Sequence, residues 1–542
     1  MRRLVTVHWL LITCLLVACV APVTPPEKFS LITHPDGRLY VGDQVSFEVM
    51  MPSGFKPEGH EVQVSLGDKE LGRAGFGPYG VAGRTEATLW WAWDTRDLQP
   101  GPETLTFTLL PDDLTWQETV TLQPQSGVPP PEPGAHWAVL TSDCCILNYI
   151  TGTAAERDIA SLAQVADEEA ADLSARMDES LSEKIPLVFM PRVLGNGGFA
   201  GNAIYVSYLD NDYLGNATAQ VLHHEFVHWF DTLAGGDLRP TIFQEGLAVY
   251  LSGGHFKPEP LIPRAAALLE LHWYIPLRTL ADEFYPQQHE IGYLEAAALV
   301  GYMVEAYGWK AFDAFYRDIH ATPDGRDSQA IDTALQAHFG ITFTELEGSY
   351  LELLKGQTAP ADVRDDLRSS VQFYDTVCRY QQALDPSAYF MTAWLPDYMM
   401  MIQRGIVADF LRHPGGMDNR LIEAMLVNVD HSLRAGEYDQ AERTLKGVNV
   451  LLDVLTAYPN NGMQTSVCPA LRTKVRVPEG FRIGAYSRKI KTFRRVCQPA
   501  GSSYFAVVMV ASGYHYGQIP PPIKGAMMFV SQLKYGLHHN CR

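Results

Sequence analysis

Residues 221–254 read VLHHEFVHWFDTLAGGDLRPTIFQEGLAVYLSGG. His224 and His228 stand four residues apart with Glu225 beside the first, and Glu245 follows His228 by seventeen positions. On an α-helix, positions i and i+4 lie one turn apart on the same side, so two imidazole nitrogens can reach one metal ion at about 2.0–2.1 Å. Glu225 then sits where a carboxylate can take a proton from water. With Glu245 as a third donor, two histidines and one glutamate leave a fourth position for water, which is the catalytic rather than the structural arrangement of zinc. The expected cofactor is Zn2+, one per chain. The competing interpretation is a buried helix pair whose His and Glu side chains are satisfied by hydrogen bonds alone.

These donors need two helices held close together. Leu222, Phe226, Trp229 and Leu233 recur on a face of the first helix away from the histidines and are expected to pin it to a core. Asn216 is its expected N-cap and Gly235–Gly236 its stop. The stretch from Asp237 to Pro240 reads as the entry to the second helix. Gly246 and Ala248, beside Glu245, are expected to let that helix approach the first. Upstream, AERDIASLAQVADEEAADLSARMDESLS places Ile159, Leu162, Val165/Ala166, Leu173, Met177 and Leu181 on one helical face. KIPLVFMP and GNGGFAGNAIYVSYLD follow as strands, the order of an α+β domain.

HHEFVHWF together with QEGLAVYL resembles the gluzincin metallopeptidases, which share H-E-x-x-H and a downstream E-G-x-A helix. The resemblance covers residues from about 185 to 310. It implies zinc on His224, His228 and Glu245, with Glu225 as general base. A third part, YLEAAALVGYMVEAYG (Tyr293–Gly308), resembles the aminopeptidase helix whose leading tyrosine donates to the developing oxyanion, a role that would fall on Tyr293. Two features depart from the family. The aminopeptidases hold the substrate amine with a glutamate on a G-x-M-E-N strand, whereas GNGGFAGNAIYVSY (Gly195–Tyr208) has none, so endopeptidase action is the expectation. Val249 stands where thermolysin-like enzymes have an aspartate. The alternative function is a catalytically silent, peptidase-like binding or scaffold lipoprotein at the cell surface.

Other polar residues carry weaker expectations. Asp231 is a candidate partner behind the ligands. His223, His255 and His289 are expected to be neutral surface residues or neighbours of the ligands rather than ligands. Arg157 and Arg192 either bind a substrate carboxylate or, more commonly, make ion pairs. The 197–208 strand either takes up an extended peptide by β-augmentation or is an ordinary internal strand.

The 542 residues suggest two to four domains. A net charge of −20 argues against nucleic acid as a partner. The charge is uneven: Gly462–Arg542 holds twelve Lys/Arg against one acid, Glu479. The first residues, MRRLVTVHWLLITCLLVAC, have the basic start and short apolar run of a secretory signal. Leu16–Cys19 resembles the lipobox of bacterial lipoproteins, which implies lipidation of Cys19 and an extracytoplasmic, membrane-anchored protein. The expected partners are therefore a peptide or protein substrate and, through the lipid anchor, a membrane. Cys14, Cys19, Cys144, Cys145, Cys378, Cys468, Cys497 and Cys541 show no CxxC spacing, and the expectation is a structural role.

The expected fold is multidomain: an N-terminal all-β Ig-like sandwich, then an α+β gluzincin-type metallopeptidase domain continuing into a mostly α-helical region. The boundaries are a signal peptide (1–19), a tether (20–28), the sandwich, Ig- or fibronectin-like in rhythm (29–125), an extended proline-rich linker (126–135), the metallopeptidase domain (136–360), a helical region (361–461) and the basic C-terminal segment (462–542). Within the helical region, LRAGEYDQAERTLKGVNVLLDVL has the pattern of a single tetratricopeptide-like helix pair.

Overall fold

The computed structural model describes residues 29–457, apart from 194, 196, 216, 256 and 413–415, together with two short strands, Phe493–Arg495 and Val507–Met509, which pair antiparallel. The signal sequence with Cys19, the tether, the cap expected at Asn216 and most of the basic C-terminal segment lie outside the described residues. The described residues up to Leu452 belong to one compact unit and the described residues from Asp453 onward to a second.

The chain first builds eight strands: β1 (Ser30–His34), β2 (Leu39–Tyr40), β3 (Gln44–Met50), β4 (Glu61–Leu66), β5 (Lys69–Tyr79), β6 (Arg84–Asp94), β7 (Gly101–Leu110) and β8 (Leu114–Gln123). Period-two alternation sends Val45, Phe47 and Val49, then Val62 and Val64, then Leu105, Phe107 and Leu109 to one shared core. The strands form one curled sheet, ordered β1-β3-β6-β5-β4-β7-β8-β2. The long β5 turns the corner: its first part pairs with β4 and its last four residues with β6. The expected linker does not run extended. Gln125–Gly127 and Glu132–Gly134 are tight 3-10 turns, and Arg412 holds Glu132 there through Nε at 2.7 Å.

A second, five-stranded sheet follows, made of β9 (Trp137–Thr141), β10 (Cys145–Ile150), β11 (Ile185–Met190), β12 (Gly198–Ala200) and β13 (Ile204–Ser207), in the order β12-β13-β11-β10-β9. β10, β11 and β13 run parallel, with β9 and β12 as antiparallel edges. The β9–β10 pair was not expected from the sequence. Cys144 and Cys145, at the start of β10, are disulfide-bonded to each other, and Cys378 is a free, partly buried thiol. Between β10 and β11, α1 (Ala154–Met177) buries Leu162, Ala166, Leu173 and Met177. The left-handed Asp178 ends that helix, so Leu181 falls beyond it rather than on its face.

The remainder is helical: α2 (Thr218–Ala234), α3 (Thr241–Ser252), α4 (Leu261–Leu271), α5 (Leu277–Asp282), α6 (His289–Tyr307), α7 (Trp309–Arg317), α8 (Asp327–Phe339), α9 (Phe343–Lys355), α10 (Ala361–Leu384), α11 (Tyr398–Arg404), α12 (Ala408–Leu411), α13 (Met417–Arg434) and α14 (Tyr438–Ala457). The fold is therefore mixed α/β, with an all-β N-terminal region. Among the described residues no helix is long and apolar enough to cross a membrane.

The curled sheet and the late helices meet along a polar seam. Arg412 makes a bidentate pair with Asp43, at 2.6 and 2.7 Å. The buried Asp409 carboxylate accepts from the indole Nε1 of Trp394 at 3.0 Å and of Trp91 at 3.4 Å. Trp137 Nε1 donates to the Ile406 carbonyl at 2.7 Å. Buried ion pairs add little net stability but are costly to break singly, because one partner is left charged and unpaired.

Candidate active site

α2 is buried on most of its circumference. Leu222, Phe226, Val227 and Phe230 enter the core, while Trp229 is only partly buried and Leu233 is 42% exposed, so the packing face is rotated from the expected one. Gly235 stops the helix at a φ of 83°. Ala217, without a side-chain bond, stands at the cap position. α3 follows after Pro240 and turns Glu245 toward α2.

The structure brings His224, His228 and Glu245 to one point. The two Nε2 atoms are 3.1 Å apart, and each is 3.4 Å from Glu245 Oε2. A tetrahedral ion with bonds of about 2.0–2.1 Å has its donors about 3.3–3.4 Å apart. Charge-assisted hydrogen bonds, by contrast, draw N and O to about 2.7–2.9 Å. The two edges to Glu245 therefore have the spacing of a ligand set rather than of charge-assisted hydrogen bonds, the His224–His228 edge is also within hydrogen-bond range, and the donors fit zinc. The other Glu245 oxygen accepts from the Tyr285 hydroxyl at 3.0 Å, which fixes the carboxylate's rotation. Burial opposes ionisation of Glu245, but the facing imidazoles outweigh it and hold its carboxyl well below the usual range.

Glu225 lines the same cavity, about 190 Å³ in volume, where burial pushes its carboxyl up to about 7. The edge strand β12 passes directly over it, and a backbone bond from Ala200 reaches its carboxylate. Tyr293 lines the cavity from the first turns of α6, its ring 6.3 Å from that of His224. Gln288 caps that helix by accepting from the Ile291 N–H at 2.8 Å. Gly246 plays a different part from the one expected. A Cβ there would lie 2.6 Å from the Ala296 carbonyl, so the glycine permits contact of α3 with α6, not with α2. The helical step of about 100° per residue turns position 246 away from the face that carries Glu245.

The remaining polar residues sort clearly. Asp231 accepts from Tyr316 at 3.0 Å and Arg317 at 2.6 Å and makes no hydrogen bond to a cavity histidine, so it does not support a ligand directly. His223 points away from the cavity to Glu169, at 2.7 Å. Arg157 pairs with Asp158 and Asp210, and the buried Arg192 with Asp385 and Asp36. His255 and His289 are not surface residues: both line the cavity, with Glu290 between them. Tyr285 and Glu290 had no signal in the sequence beyond their nearness to Tyr293.

No known protein family matches the chain, and no curated protein matches it. Among solved structures, it is similar to an aminopeptidase N family protein from Idiomarina loihiensis, at 9% identity and a TM-score of 0.28, over 58% of this chain and 76% of that one. A likeness this weak carries no argument, and the chemistry rests on the side chains described above.

Proposed function

We propose that the protein is a zinc-dependent metallopeptidase that hydrolyses internal peptide bonds. The observation that carries this reading is the His224–His228–Glu245 triangle, with edges of 3.1, 3.4 and 3.4 Å, beside the buried Glu225. A zinc ion held by these donors supplies the Lewis acidity for attack of water on an acyl carbon. Glu225 accepts the proton of the attacking water and returns it to the leaving amine. Tyr293 donates a hydrogen bond to the scissile carbonyl oxygen as negative charge develops there. The edge strand β12 offers backbone groups to an extended substrate.

Support for internal cleavage comes from the carboxylates of the cavity. Besides Glu225 and Glu245 the described lining holds only Glu290, which His255 already engages. None is left free to bind a substrate's terminal ammonium. We further propose an extracytoplasmic location with a lipid anchor at Cys19, on the sequence pattern alone.

The test is zinc content and peptide-library cleavage by the full chain and by His224→Ala. Zinc and cleavage that are both lost in the variant support the reading. Zinc without cleavage of any peptide would leave a silent binding module, and release of N-terminal residues alone would overturn the endopeptidase assignment.

A further inference from the structure

The cavity holds a second set of donors that the proposed reaction does not use. His255 Nδ1 lies 2.8 Å from Glu290 Oε1, and His289 Nδ1 lies 3.7 Å from the same oxygen. One donor atom from each residue falls within 4.8 Å of the others. A hydrogen bond from His255 to Glu290 accounts for the first distance only. His289 Nδ1 is fully buried and has no hydrogen-bond partner. An unsatisfied buried polar atom costs roughly 1–3 kcal/mol, so its retention needs a cause.

Several contacts hold these side chains in place. The His289 ring stacks on Tyr374 at 4.1 Å and on Tyr293 at 4.3 Å, and the His255 ring stacks on Tyr293 at 4.3 Å. The loop that carries His255 is tied to α2, since Gln220 Nε2 donates to the Gly254 carbonyl at 2.7 Å. Charge points the same way. Glu290 is buried, and among the described residues its ion-pair partners are the two histidines alone. The nearby cations are committed elsewhere: Lys257 and Arg264 both pair with Asp366, and Arg264 also with Glu259.

We propose that His255, His289 and Glu290 form a second divalent-cation site, of the zinc class, in the cavity that holds His224, His228 and Glu245. Two imidazoles and one carboxylate suit Zn2+ or Co2+ and do not suit Mg2+ or Ca2+, which take oxygen donors. An ion there gives His289 Nδ1 the partner it lacks and offsets the Glu290 charge. It also joins His255 to the first turn of α6, so cation binding stiffens one wall of the cavity. This site goes beyond the peptidase reading and does not depend on it.

The experiment is a titration of the chelator-stripped full chain with Zn2+, and with Co2+ read by its visible absorption. The parent is expected to take up two equivalents. Glu290→Gln, nearly unchanged in shape, should retain one and bind the other more than ~100-fold more weakly, a loss at least as large as that from removing a ligand's supporting partner. His224→Ala should retain the equivalent held by His255, His289 and Glu290. This variant tests the second site even if Glu290→Gln fails to fold. A parent that binds one equivalent, lost in His224→Ala and kept in Glu290→Gln, overturns the second site and leaves the peptidase reading intact. Two equivalents of which His224→Ala removes none overturn the first site instead.

Discussion

Gly198 lies against Glu225 so closely that a Cβ at that position would sit 2.7 Å from both Cγ and Oε1 of the carboxylate, and 2.9 Å from Cγ1 of Val221. The base is held in a slot between α2 and the edge strand, and only a glycine leaves room for it. Gly198→Ala must therefore displace either the strand or Glu225. Misplacing a reacting group by about 1 Å can reduce turnover on the order of 100-fold. The expected result is such a loss with zinc content unchanged. Turnover at the parent level would show that the base does not depend on this contact.

Glu225 touches no donor of the triangle within bonding distance, and its part is proton transfer. Glu225→Gln should keep zinc while peptide hydrolysis falls by at least ~100-fold. The check is metal analysis and hydrolysis on the same preparation. Normal turnover in this variant rules the mechanism out.

Two tyrosines face the site with different assignments. Tyr285 donates to Glu245, so Tyr285→Phe should weaken zinc affinity by about 10–100-fold and affect turnover of the fully loaded protein little. Tyr293 is assigned to the substrate oxygen, so Tyr293→Phe should lower kcat by about 100–1,000-fold with zinc affinity kept. The reverse pattern in a competitive-chelator titration would exchange the two roles.

In the seam between the curled sheet and the late helices, burial pushes the Asp409 carboxyl from the ordinary aspartate value of 3.8 up to about 6. Between those values the folded protein keeps a proton that the unfolded chain has released. Stability contributed by this group is therefore present at low pH and lost as pH rises through about 6. Asp409→Asn should remove that dependence. Relative to the parent, the variant gains up to roughly 3 kcal/mol between about pH 4 and pH 7.5. Urea denaturation at the two pH values measures it, and an equal difference at both counts against the assignment.

The donors were legible because their geometry is local. His224, Glu225 and His228 fall within two helical turns, and one short connection brings Glu245 across, so spacing alone predicts their convergence. Tyr285, His255 and Glu290 come from a loop before α4 and from the chain around the start of α6, and tertiary packing decides that they share a cavity. A glycine in a helix signals close approach without saying to what, so the sequence does not tell α6 from α2 as the neighbour of Gly246. The β9–β10 pair was hidden by its short, mixed segments: β10 shows its Ile146 to solvent while Cys145 and Leu147 are buried, a pattern easily taken for a loop. The alternation of β3 and β7 was plain, yet nothing in it revealed that β5 would carry one sheet round a corner instead of leaving two separate layers.

The seam at Trp91, Asp409 and Arg412 has an evolutionary consequence. Its polar side chains are tolerable only while their partners remain, since a lone buried carboxylate or guanidinium is strongly destabilising. Trp91 and Asp43 belong to the first third of the chain and Asp409 and Arg412 to the last, so the two ends cannot drift independently. In relatives that have shed the N-terminal strands, positions 409 and 412 should have become apolar or surface residues. In relatives that keep the strands, substitutions at 43 and 412, and at 91 and 409, should occur in pairs.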